Sequence, residues 1–339
     1  MAAWLAAFPS SDVELLCEHY LEFADCNDIW PLIRVIFQTG QQPPEKFQEL
    51  IASRLECEPR SDTWPRSLAT PKLNLEVANK LAVRWLELNA CEPRTHILSL
   101  CTFVQSSEVM EALLLWMKRN SDGLLEEFAM SLAHLTEAAA KHHPELLPEL
   151  IAFSRMWLCA NSNSPRAGNV HCELIRTTHN LNDIEKAKKW YQENRGADTA
   201  WYVLSALLFK QNPDNFAVNE SKRVLKSQPA DKRIPALTGR LLRAVRDDET
   251  VRLARELCIT NPVPWILEEL LAFASDDELV GKAHGLLEKW DNHEAGHTML
   301  LALLNAAPQN EKTQKLAESW LESNKDHDAA TQIRALLRT

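Results

Sequence analysis

Glycine is scarce in this chain of 339 residues: there are 8 copies, no two adjacent and no two separated by a single residue. That excludes a GxGxxG dinucleotide loop, and no GxxxxGK[ST] loop occurs either, so the common backbone cradles for phosphate are missing. The eight cysteines (17, 26, 57, 91, 101, 159, 172, 258) form no CxxC pair. Disulfide frameworks and structural zinc sites both need closer Cys or His pairs. Reduced thiols, buried in the apolar helices of a cytoplasmic protein, are the expectation. No apolar run reaches the roughly 20 residues of a membrane span, and the first residues, MAAWLAAFPSSDVELL, carry no basic n-region. Cations are in deficit, 37 Lys and Arg against 47 Asp and Glu for a net charge of −10. Phosphate backbones draw affinity from cations, so neither nucleic acid nor a membrane is an expected partner.

What remains is a folding composition, 45% apolar and 25% charged, with Trp (11 copies) outnumbering Tyr (3 copies). The Trp positions have a pattern. From Ile184 onward a small residue recurs three positions before a bulky pair: Ala187/Trp190-Tyr191, Ser221/Val224-Leu225, Ala254/Leu257-Cys258, Ala283/Leu286-Leu287 and Ala317/Trp320-Leu321. These anchors lie 34, 33, 29 and 34 residues apart. A second apolar pair follows each in register: Leu207-Leu208, Leu241-Leu242, Leu270-Leu271, Leu303-Leu304 and Leu336-Leu337. Upstream, Trp157, Trp116 and Trp85 extend the series, with one longer step of 41 residues between Trp116 and Trp157. A period near 33 is the signature of stacked helix hairpins. A small residue one turn before a bulky pair lets a neighbouring helix approach, and the pair fills the groove. Asp or Asn in PDN (213–215), DDE (247–249, 276–278) and PQNE (308–311) stands where a helix N-cap is wanted.

The expected fold is therefore all-α: an α-solenoid of about eight antiparallel hairpins over 73–339, with a less regular N-terminal helical region over 1–72. Within that region helical patterns run through 12–24, 30–38 and 44–56, ahead of a Pro-punctuated connector at 57–74. They read either as two degenerate hairpins or as a small helical cap. Solenoid ends need polar capping repeats. Trp4-Leu5 and the terminal Leu336-Leu337-Arg338-Thr339 suggest a piece cut from a longer array, or an open last repeat that packs on a partner or on a second copy.

Two stretches could carry chemistry or binding. His293-Glu294-Ala295-Gly296-His297 is a literal HExxH, in which two His on one helical face hold zinc and Glu activates water; Glu318 is spaced as a third ligand. The motif overlies the inter-helix loop of the repeat, which favours coincidence and no metal or other cofactor. The second stretch, 219–255, holds ten Lys and Arg against five Asp and Glu. Lys222, Arg223, Arg240, Arg243 and Arg246 within it are candidates for docking an acidic protein, the last three recurring every third residue. His142, His143 and the histidines of HCELIRTTH (171–179) read as surface or loop residues.

Ala254, Leu257, Asn261-Pro262 and Trp265 follow one another as at the junction between two repeats of the tetratricopeptide (TPR) family, which the chain resembles together with its HEAT-like relatives. The A-x-x-W-L pattern is also similar to the C-terminal sensor arms of bacterial STAND antiviral ATPases. The resemblance implies a protein–protein recognition module without enzymatic activity, a sensor or scaffold, with prokaryotic antiviral defence as one setting. A general adaptor and a zinc hydrolase are the alternatives. The anchors Trp85, Trp116, Trp157, Trp190, Leu257, Leu286 and Trp320 are expected to be core.

Overall fold

A computed structural model of the chain describes residues 76–89, 106–120, 126–209, 213–227, 231–290, 293 and 296–338. The 1–72 region and its expected helices lie outside the described residues, as does Glu294. Fifteen α-helices and no strand occur among the described residues. They are α1 (Glu76–Leu88), α2 (Ser107–Arg119), α3 (Phe128–His142), α4 (Leu147–Ala160) and α5 (Ala167–Thr178). Next come α6 (Leu181–Glu193), α7 (Ala200–Leu208), α8 (Asn215–Ser227), α9 (Ile234–Ala244) and α10 (Asp248–Thr260). The last five are α11 (Pro264–Phe273), α12 (Asp277–Trp290), α13 (His297–Ala306), α14 (Glu311–Ser323) and α15 (Ala330–Leu337).

All eight anchor pairs fall in helices, namely α1, α2, α4, α6, α8, α10, α12 and α14, the first helices of the repeats. The second helices α7, α9, α11, α13 and α15 carry the Leu-Leu pairs. The chain divides into two compact units, 1–203 and 204–339. In the second, each helix from α8 onward packs on the next; second helices α9, α11, α13 and α15 also touch in succession, as do first helices α10, α12 and α14. Two rows result, joined by a continuous core from Leu242 to Ile333. In the first unit α1 packs on α2, and α5 packs on α3, α4 and α6.

The N-caps are where the acidic turns placed them. Side chains of Asp214, Asp247, Asp276 and Asn310 accept backbone N–H bonds from Phe216, Thr250, Leu279 and Thr313 at 2.8–3.1 Å. Asn180 does the same for Asn182 at 2.9 Å. Each of these five caps stands ten residues before its anchor. The register therefore persists in the repeats that lack the Trp.

The C-terminal ends of the first helices hold a feature that the anchor pattern alone did not expose. Asn89, Asn120, Asn161, Asn194 and Asn324 each follow an anchor Trp by four residues. Each Asn aims its Nδ2 at the carbonyl of that Trp, at 2.9–3.2 Å, and its backbone N–H donates to the same oxygen. One of the carbonyls left open at a helix end is thus doubly satisfied. Beyond the cap the chain makes two consecutive turns in Asn161–Ser164–Ala167, Asn194–Ala197–Ala200, Trp290–His293–Gly296 and Asn324–His327–Ala330, with N–H to carbonyl bonds of 2.9–3.1 Å.

Anchor Trp side chains reach back to these turns. The indole N–H of Trp190 donates to the Ser164 carbonyl at 3.1 Å, and that of Trp320 to the His293 carbonyl at 3.1 Å. Trp116 reaches the Asn89 carbonyl, in the cap itself, at 2.9 Å. All five anchor Trp are buried. Leu257 and Leu286 are not: they are half-buried, and their neighbours Cys258 and Leu287 take the core position instead. A leucine cannot span to the preceding turn or bond to its carbonyl, so the pair shifts its weight to the second member. Gly168 serves a close approach between repeats. A Cβ there would stand 2.4 Å from the Thr199 hydroxyl, which is bonded to the Pro165 carbonyl, so only glycine fits.

Ile333 is fully buried, Leu336 and Leu337 are half-buried, and the exposed residues of α15 include Thr331, Gln332 and Arg334. Replacing Trp320 by Phe keeps the ring but removes the bond to the turn; urea unfolding should show a loss of about 1 kcal/mol or more, near the value of a buried hydrogen bond. Asp247→Ala should cost about 1 kcal/mol as an N-cap deletion, and Asn324→Ala about 1 kcal/mol as the loss of a side-chain hydrogen bond to the Trp320 carbonyl. Unchanged midpoints for all three would contradict the repeat register.

Candidate functional site

The two cavities that stand out among the described residues occupy equivalent places. Each lies between consecutive first helices of the first unit. One, of about 580 Å³, is walled by Val83, Leu86 and Glu87 of α1 and by Ala112, Leu115 and Arg119 of α2. The other, of about 370 Å³, is walled by Arg155, Leu158 and Cys159 of α4 and by Lys186, Lys189 and Glu193 of α6. Counted from the anchors, Val83, Leu86 and Glu87 match Arg155, Leu158 and Cys159; Ala112, Leu115 and Arg119 match Lys186, Lys189 and Glu193. The repeat geometry generates the groove, and the substituents at these positions give each groove its chemistry. Next to the anchors, Leu115 and Met156 are about half exposed, at 49% and 47%. They project from the same register position of their helices.

The α4–α6 groove is the more polar. Asp183, in the first turn of α6 and almost fully buried, takes a bidentate grip from Arg155: Nε to Oδ1 at 3.1 Å and Nη2 to Oδ2 at 2.7 Å. Thr178 adds an O–H bond to Oδ2 at 3.0 Å. An acid there also suits the positive end of the helix dipole. His171 of α5 lines the groove, 5% exposed, with its ring 5.7 Å from that of Trp190. Its Nδ1 is buried without a hydrogen-bond partner. Burial pushes its pKa from 6.5 down to about 4, so the imidazole is neutral near pH 7. The expectation of a surface histidine fails here, because α5 is the buried second helix packed on α3, α4 and α6. Cys159 is exposed at this groove, in contrast to buried Cys172 and Cys258, which corrects the expectation of uniformly buried thiols.

The Asp183–Arg155 pair belongs to a ladder along the first helices. At four anchors the residue two positions before, Arg155, Lys222, Arg255 or His284, reaches the N-terminal turn of the next first helix. Lys222 bonds Asp247 at 2.6 Å and approaches Glu249 at 3.1 Å, and Arg255 meets Asp276 at 2.9 Å and Glu278 at 2.8 Å. In the α12–α14 step His284 takes this place, bonded to Thr313 at 2.8 Å.

The basic stretch is thereby largely engaged by acids of the chain itself. Arg223 pairs with Glu220 at 2.8 Å. Arg243 and Arg246 share Glu269, at 2.9 and 3.4 Å; Arg246 also lies over the Phe273 ring, and Arg240 over that of Phe209. The expected stripe is also broken, since α9 ends at Ala244 and Arg246 stands beyond it. Of the acids that answer it, Glu220, Asp247 and Glu249 lie within the window in which the positive excess was counted, and Glu269, Asp276 and Glu278 come from the next repeats, outside it.

HExxH falls in the double turn. His293 lies between α12 and α13, its backbone bonded to Trp290, Gly296 and the Trp320 indole, and α13 opens only at His297. The two histidines therefore do not share a helical face. His297 packs its ring 4.8 Å from that of His327, and Glu318 is exposed on α14. Among the described residues no group of three His, Cys, Asp or Glu is placed to hold a metal ion. No described helix is long and apolar enough to cross a membrane.

The depressed His171 pKa sets a pH dependence. The unfolded chain takes up the proton near pH 6.5 and the folded chain only near pH 4, so this contribution to stability is complete above about pH 7 and is lost as pH falls through that window. The loss amounts to about 3 kcal/mol. Denaturant titrations of the wild type and of His171→Leu at pH 7 and pH 4.5 should show the smaller pH drop in the variant. Metal analysis of the purified protein should find zinc well below one equivalent; stoichiometric zinc lost on His297→Ala would restore the HExxH reading. Comparison of the chain with protein-family models, with curated proteins and with solved structures finds no match.

Proposed function

We propose that this chain is a protein-recognition module: a TPR-like α-solenoid of about eight hairpins that takes a partner segment along the face of its first helices. The observation that carries this reading is the pair of register-equivalent grooves at α1–α2 and α4–α6, with the exposed Leu115 lining the first and the exposed Met156 on α4, a wall helix of the second. Half-exposed apolar side chains beside concave, mixed-charge walls are what a protein partner buries. The second-helix side offers less, because its arginines are committed to Glu269 and to aromatic rings. The module works without chemistry of its own and without a cofactor, in the cytoplasm. The likeness of its repeat pattern to STAND sensor arms favours sensing of a foreign protein in prokaryotic antiviral defence over general adaptor work.

The test compares variants on the two sides. Leu115→Asp with Met156→Asp should reduce capture of the wild-type partner set from native extract at least tenfold, read by quantitative mass spectrometry, with the melting temperature little changed. Arg240→Glu with Arg243→Glu should leave capture intact. The opposite ranking would move the binding surface to the second helices, and capture indifferent to both pairs would overturn the proposal.

A further inference from the structure

We propose that the α4–α6 groove is a pocket for one acidic side chain of an extended partner segment, received between Lys186 and the imidazole of His171. The inference deepens the protein-recognition reading and rests on it. Five charged residues line the groove: Arg155, Lys186 and Lys189 against Asp183 and Glu193. Arg155 and Asp183 neutralise each other through their bidentate contact. Lys189 stands 4.0 Å from Glu193. Lys186 forms no ion pair among the described residues and is exposed at the groove. The groove thus keeps one uncompensated cation in a chain whose net charge is −10.

The α1–α2 groove makes the contrast. Its cations Lys80, Arg84 and Arg119 are matched by Glu87, Glu108 and Glu111. Of the two grooves, the one between α4 and α6 is complementary to an anion. It also contains a polar group that the fold leaves unanswered, the buried His171 with its unpartnered Nδ1. A buried polar atom without a partner is costly, and His171 is the lining residue of this groove that carries one. Leu158, Leu174 and Trp190 supply apolar wall. About 370 Å³ is near the lower end of ligand-pocket sizes, enough for a Glu side chain and an apolar neighbour. A phosphate backbone would want several cations in a row, and a single lysine beside apolar walls suits one carboxylate of a protein better. Ser162 and Asn163, in the loop after α4, extend the lining with a hydroxyl and an amide.

The probe is a fluorescent, N-acetylated and C-amidated decapeptide of alternating Glu and Leu, set against the same peptide with Gln for Glu and against a ten-residue oligouridylate. The full chain should bind the Glu peptide at least tenfold more tightly than the other two, and the His171 imidazole resonances should shift during the titration. Lys186→Glu, a surface change, should remove the preference, whereas Arg243→Glu should not. Equal binding of the Glu and Gln peptides, tighter binding of the oligonucleotide, no binding of any probe, or a preference that survives Lys186→Glu would each overturn the pocket. Partner capture that depends on Leu115 and Met156 while the Glu peptide fails would overturn this inference and leave the recognition reading standing.

Discussion

The hydrogen bond from an anchor indole to a carbonyl of the preceding repeat fixes the step between hairpins at Trp116, Trp190 and Trp320. It requires a large ring whose N–H points outward at a fixed height on a first helix. It also requires a carbonyl presented there by the preceding repeat: that of Asn89 for Trp116, the turn after the Asn161 cap for Trp190, and the turn after Trp290, where no Asn cap stands, for Trp320. In the step from α4 to α6 all three parts are linked: Asn161 caps the helix of Trp157, the cap leads into the turn at Ser164, and that carbonyl receives Trp190. Core burial alone would permit rotation and sliding of one hairpin on another. A directional bond at 3.1 Å permits neither.

The grooves follow from the same geometry. Bulky anchors separate consecutive first helices at one level, and the shorter side chains around them leave concave space beside the ring. Because the spacing is set by the repeat, the walls come from the same register positions each time, while their chemistry is free to vary. Val83 in one groove is Arg155 in the other, and Ala112 is Lys186. Variation on a constant geometry is how a helical array acquires different specificities without altering its core.

The ion-pair ladder engages charges that a local count along the chain leaves open. Lys222 and Arg255 look like an available basic surface when read within 219–255. Folded, they close onto the N-terminal turns of the next first helices, where the acids also cap the helix and complement its dipole. Exposed pairs of this kind contribute only about 0.2–1 kcal/mol each. Their larger effect is to spend a positive patch on internal register. The HExxH stretch follows the same repeat geometry: His293 and Gly296 sit where Ser164 and Ala167, or His327 and Ala330, sit in other repeats.

Periodicity along the chain was enough to specify the all-helical fold, the first and second helices, the N-caps and the buried tryptophans, since these depend on spacing along a helix. It also contained the Asn four residues after every anchor Trp, legible as a motif once its role is known. Four further properties waited on the folded arrangement: which charges are spent, the burial of His171 with an unanswered nitrogen, the yielding of Leu257 and Leu286 to their neighbours, and the places where the grooves open. They arise from residues roughly 20 to 30 positions apart that meet when hairpins of this period stack, and no local pattern records a side chain's partner in the next repeat.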